Sequence, residues 1–256
     1  MTIPRSSPRP ASAGTGTTAL LSHWEGELAL GECWASWSGR VGDSELHSHH
    51  AAQAVFDAGV QCQTSAGRLQ DLPEGAVFID PGVPHRVRPA PQGLLVFIEP
   101  GSGRQALLPA PLRQRIAAGL AQSAGPLIEG ADRLQDSPWT GWLAALQCAG
   151  PDVHEDWIQA VRGLVDGRLP LGVVRLRDLA GPMGLSGERF RHVFAQRMGL
   201  PVRRYVLWRR LRLAVQCLQR GAGVTEAAMD AGFADAAHFG RTLHRQFGLN
   251  ARRLFR

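Results

Sequence analysis

The chain has 256 residues, 44% of them hydrophobic and 20% charged, which is enough for two modest domains with a core each. Its formal charge of +6 comes from arginine alone, and it is unevenly placed: residues 1–150 carry ten arginines against thirteen acids, residues 151–256 eighteen against nine. No apolar run approaches the roughly 18–20 residues that cross a bilayer, and the four scattered cysteines lack the CxxC pairing of a metal ribbon, so they read as buried, reduced thiols.

Residues 1–18 are rich in Ser, Pro, Gly and Thr and lack the apolar core of a secretory signal, which predicts a disordered tail on a cytoplasmic protein. Short alternating apolar segments follow at 28–37, 54–59, 76–79 and 94–98, separated by Gly and Pro turns; such spacing predicts an all-β sandwich or barrel over residues 19–104. Leu112, Ile116 and Leu120, then Leu143 and Leu146, recur at helical spacing between prolines, so residues 105–151 are expected to form a helical connector. From residue 152 to 256 the pattern is all helical, with segments beginning at Trp157 and Arg175 and others at 187–198, 202–218, 225–231 and 235–247. The expected fold class is therefore α+β multidomain.

An internal repeat organises the last hundred residues. Gly184-Leu185-Ser186 before Phe190, Val193 and Phe194 returns as Gly232-Phe233-Ala234-Asp235 before Phe239, Thr242 and Leu243; the copies end at Gly199-Leu200 and Gly248-Leu249. Each copy reads as helix, glycine turn, capping residue, second helix, which is a helix-turn-helix unit. The aromatic and aliphatic side chains share one face. The opposite face carries Glu188, Arg189, Arg191 and His192 in the first copy and His238 and Arg241 in the second, side chains free to meet base edges in a major groove. One helix over 202–218 joins the two units, and its Arg203, Arg204, Arg209 and Arg210 are expected to contact phosphates. A basic half of this kind points to a polyanion partner.

Leu179-Ala180, Gly184-Leu185-Ser186, Phe190, Phe194, Gly199-Leu200, Tyr205, Arg210-Leu211-Arg212, Ala214, Leu218, Ala231-Gly232-Phe233, His238-Phe239, Arg241, Phe247-Gly248 and Phe255 together resemble the DNA-binding domain of the AraC/XylS family of transcription regulators. That resemblance implies base-reading positions at Glu188, Arg189, Arg191 and His192 and at Ala237, His238, Gly240 and Arg241. It implies double-stranded DNA, RNA polymerase and a small-molecule effector as partners and a regulator of transcription, activator or repressor, rather than an enzyme, and it leaves a homodimer open. Three departures stand out: Gly181-Pro182 late in the first scaffold helix, Met229 in place of a branched aliphatic residue, and Asn250-Ala251 where a proline motif is usual.

In the first half, His47-Ser48-His49, Gln53, Gly75 and Pro81-Gly82-Val83-Pro84-His85 resemble the two motifs of the cupin fold, so the β-region is expected to be a cupin-like sensor barrel. His47, His49, Gln53 and His85 are expected to line its effector pocket. His47 and His49 at i, i+2 share a face, and with His85 they offer three imidazoles suited to a divalent metal. The family's usual glutamate ligand is replaced by Gln53, and histidines hydrogen-bonded in the pocket are the alternative. His50 should point to the other face. A cupin enzyme using this metal set and a ligand-independent architectural DNA binder are the competing functions.

Overall fold

The computed structural model describes residues 24–31, 33–72, 75–99, 124–126 and 156–249. The expected tail, the connector helices through Leu112 and Leu146, Cys148, Asn250-Ala251 and Phe255 lie outside these residues.

Nine strands form two antiparallel sheets among the described residues. The strands are β1 (Glu25–Leu30), β2 (Trp34–Val41), β3 (Ala52–Phe56), β4 (Val60–Gln63), β5 (Leu69–Asp71), β6 (Val77–Ile79), β7 (His85–Val87), β8 (Ala90–Ile98) and β9 (Ala124–Pro126). The larger sheet has the order β1-β2-β8-β3-β6-β9 and the smaller β5-β4-β7. One apolar cluster draws on both: Trp37, Val55, Ile79 and Leu95 from the first, Val60, Cys62 and Val87 from the second. In place of the expected barrel there are two separate sheets that share one core. The segment expected as a strand over 28–37 is instead the meeting of β1 and β2. Its amides turn at Gly31, which donates to the Trp34 carbonyl at 3.0 Å, and the strands pair from Leu30 with Ala35 to Glu25 with Arg40.

The helical half contains α1 (Asp156–Asp166), α2 (Leu176–Ala180), α3 (Gly187–Met198), α4 (Val202–Gln219), α5 (Val224–Asp230) and α6 (Ala236–Phe247), with a 3₁₀ turn at Leu169–Leu171. Helix α2 stops at Ala180, directly before Gly181-Pro182, because proline has no amide to continue the ladder. Two cores flank α4. The first gathers Val161, Leu179, Phe190, Phe194 and Tyr205, the second Leu211, Ala214, Ala228, Phe233, Phe239 and Leu243. Helix α4 supplies both, with Val202, Tyr205 and Val206 on one side and Leu211 and Ala214 on the other. Packing therefore clamps a unit at each end of one rigid rod.

A candidate DNA-reading face and a buried histidine cluster

The two helical units are built alike. Gly184 (φ +66°) and Gly232 (φ +75°) take the left-handed conformation that the interhelical turn needs, and each turn is closed by the same bond: Leu185 N–H to Ala180 O at 3.0 Å, Phe233 N–H to Ala228 O at 2.9 Å. Ser186 Oγ accepts from the Arg189 amide at 3.2 Å, and an Asp235 carboxylate oxygen accepts from the His238 amide at 2.5 Å, so both second helices carry side-chain caps. Helices α3 and α6 end on left-handed Gly199 and Gly248. The second turn is one residue longer, which is why Asp235 rather than Ala234 holds the cap.

The caps fix which faces look outward. Phe190 and Phe194 are fully buried, as are Phe239, Thr242 and Leu243, while Val193 is half-buried. Glu188, Arg189, Arg191 and His192 are exposed on α3, and Ala237 and Arg241 on α6; His238 and Gly240 are half-buried, the His238 ring standing edge-on to Phe233 at 5.2 Å. Gly240 leaves open space where a side chain would stand, so the backbone of α6 itself is accessible beside Arg241.

The arginines of α4 divide differently from expectation. Arg203 and Arg204 are exposed at its first turn. Arg209 is buried: its guanidinium donates to Glu99 at 2.7 Å and grips both oxygens of Asp166 at 2.9 and 2.6 Å. Arg210 is half-buried and donates to the Gly172 carbonyl. Arg209 thus joins the β-half to the helical half, and the expectation of a phosphate contact there is corrected by its burial; Arg210 is turned toward the 3₁₀ turn instead of outward.

In the β-half the structure brings all four expected pocket residues together. His47, His49, Gln53 and His85 are buried, with imidazole centroids 4.3 Å apart for His47 and His85, 4.9 Å for His49 and His85 and 5.8 Å for His47 and His49. Each Nδ1 lies 2.8 Å from a backbone carbonyl, of Glu45, Ala51 and Val83 respectively. A carbonyl only accepts, so each Nδ1 carries the proton. Burial holds all three rings neutral: it is the main cause of the lowered pKa of His47, to about 3, and of the lowering at His49 and His85, with the neighbouring rings adding to it at His47 and His85. The three Nε2 atoms are therefore unprotonated.

Two of them, on His49 and His85, lie 2.9 Å from the side-chain amide of Gln53. Two arrangements satisfy that contact. With its nitrogen facing the rings, the amide donates one hydrogen to each. With its oxygen facing them, a cation between the groups satisfies the lone pairs. The imidazole ligand atoms lie within 4.8 Å of one another. Three neutral nitrogens fixed through Nδ1–H bonds to carbonyls, with an amide oxygen beside them, suit a divalent transition metal. His47, His49 and His85 would hold such an ion, which would supply a Lewis acid at the edge of the pocket.

The pocket itself is mostly apolar, with five Trp and Phe rings among its aliphatic side chains, which the histidine motif did not signal. A cavity of about 100 Å³ lies between the halves, with Trp24, Trp37 and Phe97 from the sheets, Trp208 and Phe247 from α4 and α6, and His47 and Gln53 at its polar edge. Helix residues missed by sequence reasoning thus complete the site. The seven tryptophans were the available signal, but nothing local says that Trp208 meets the β-half.

Comparison with known proteins places these features. The sequence model of a helix-turn-helix domain family matches residues 179–256. No curated protein matches the chain by sequence. Among solved structures, an apo variant of ToxT from Vibrio cholerae superposes with a TM-score of 0.53 at 8% identity, covering 88% of this chain and 97% of that one. Two further ToxT structures from Vibrio cholerae give TM-scores of 0.51 and 0.50, again at 8% identity over 88% of this chain and 98% of theirs. At such identity the likeness is one of fold: a β-rich N-terminal half joined to a C-terminal helix-turn-helix half. No helix among the described residues is long and apolar enough to cross a membrane.

Proposed function

For a chain whose residues 179–256 match a helix-turn-helix domain family, we propose a sequence-specific DNA-binding transcription regulator of the AraC type, controlled by a small molecule held in the cupin-like half. The observation that carries this reading is the duplication. Two capped helices, each with its core face buried and its polar face free, sit at the two ends of one helix. A single reading helix needs a dimer to reach two major grooves; two units on one rod present both within one chain. Glu188, Arg189, Arg191 and His192 then read one groove, and Ala237, His238, Gly240 and Arg241 the next. Arg203 and Arg204 lie at the start of the rod, where phosphates pass between the grooves.

The effector side rests on the cavity. Its apolar walls and polar edge suit a largely apolar molecule with one polar group directed at His47 and Gln53. Because Trp208 and Phe247 belong to the helical half, an occupant touches both halves, and any difference in how it fits their docked and undocked arrangements shifts the balance between them. RNA polymerase is the partner through which DNA binding would act on transcription.

The test is selection of bound sequences from a random duplex pool by the full-length protein at fixed salt, since phosphate contacts make affinity salt-dependent. Two short preferred blocks about one helical turn apart are expected. Salt-sensitive binding with no preferred block, both for the full chain and for residues 152–256 alone, would overturn the reading.

A further inference from the structure

A short irregular segment between β2 and β3, residues 45–50, is held from two sides. Inward, it supplies His47 and His49 to the imidazole cluster. It has no ladder of its own: His47 and His85 exchange one pair of backbone bonds at 2.9 Å, and the Gly82 amide donates to the His49 carbonyl at 2.8 Å. Outward, it holds the last turn of α6. The Glu45 amide donates to the Gly248 carbonyl at 3.2 Å, the His50 amide donates to Gln246 Oε1 at 3.2 Å, and the Glu45 carboxylate lies 3.2 Å from His244. The approach is so close that a Cβ on Gly248 would stand 2.4 Å from the Glu45 carbonyl oxygen and 3.0 Å from Nδ1 of His47. Phe247 covers the cluster, 5.3 Å from Phe97 and 6.2 Å from His49.

We propose that a divalent transition metal bound by His47, His49 and His85 fixes this segment and thereby locks the end of the second reading helix onto the sensor half. The inference rests on the reading of α6 as a DNA-reading helix. Its physical basis is that two of the metal ligands, His47 and His49, and the docking residues Glu45 and His50 belong to one six-residue segment. A tetrahedral zinc ion, with bonds of about 2.1 Å, sets its nitrogens about 3.4 Å apart. The ligand atoms lie within 4.8 Å of one another, so a bound ion ties His47 and His49 to His85 on β7. That cross-links a segment otherwise secured by few backbone bonds, and its outer face carries the contacts to Gln246 and Gly248. By linkage, whatever pulls α6 off the segment weakens metal binding by the same factor.

The test uses the full-length, metal-free protein with Co²⁺ as the probe. Visible absorption reports its coordination, and hydrogen–deuterium exchange reports the last turn of α6. One Co²⁺ per chain is expected, with a nitrogen-ligand spectrum lost in His85→Gln, and with amide exchange over residues 244–249 slowed at least fivefold. In Gln246→Ala, which removes the acceptor of the His50 amide and touches no ligand, the spectrum should persist while the slowing disappears. Cobalt bound through the histidines without any slowing at 244–249 overturns the proposal, as does a failure to bind cobalt. Neither readout involves DNA, so this result and the operator selection stand or fall separately.

Discussion

Arg241 and Arg209 are both arginines of the basic half, and the structure gives them opposite duties. Arg241 is exposed on the outward face of α6 beside the bare backbone of Gly240. A planar fork there suits guanine. Arg241→Ala is expected to lose about 1–3 kcal/mol of affinity, concentrated at one base position of the selected site; a uniform loss over all sequences, measured by competition binding, would assign it to phosphate instead. Arg209 is 7% exposed and shared between Glu99 and Asp166. Removing it takes from Glu99, 2% exposed, the guanidinium that donates to it at 2.7 Å, leaving that charge beside Arg162 and Arg212. Arg209→Ala should cost about 3–5 kcal/mol of stability, read as a lowered urea midpoint, and should leave the preferred DNA sequence unchanged. Sequence alone did not separate the two, because Glu99 lies 110 residues from Arg209 and no local pattern announces the pairing.

At the level of elements, caps and glycines made the helical half readable. The expected bounds 187–198 are those of α3, and the others differ by about a residue at an end, because Ser186, Asp235, Gly199 and Gly248 act within one turn of their own position. Ser186→Ala and Asp235→Ala should each cost about 1 kcal/mol of stability, since each strips an accepting oxygen from an amide at a helix start; thermal unfolding of the two variants measures it. A cost from only one of them would show that its unit alone sets the cooperative transition. The β-half was less legible. The turn between β1 and β2 lacks an Asn-Gly or Asp-Gly signal, so its two strands read as one. The histidine motif did locate the cluster, since His47, His49, Gln53 and His85 all converge, whereas the aromatic wall is assembled from distant segments and has no motif.

For the molecule as a whole, the histidines make folding sensitive to acid. His47, His49, His50 and His85 all have lowered pKa values with burial as the first cause; His50 falls to about 4, helped by the nearby Arg204, and His47 to about 3. Unfolded, these rings take up protons near pH 6.5. Below that pH the unfolded chain binds more protons than the folded one, so the stability present above pH 6.5 is lost as pH falls toward the folded values. The loss approaches about 1.4 kcal/mol per pH unit for each such ring. Urea midpoints of the metal-free protein should therefore fall steeply between pH 7 and pH 5; equal midpoints would mean that the rings are already charged in the fold.

The rod α4 sets a limit of another kind. Eighteen residues at about 1.5 Å each make it about 27 Å long, and both cores are fastened to it without an intervening hinge. A target site with one base pair inserted between its blocks turns the second block by about a tenth of a revolution and carries it about 3.4 Å along the duplex. A rigid rod cannot follow. The protein should therefore tolerate changes of letter within its operator far better than changes of phase between its two halves.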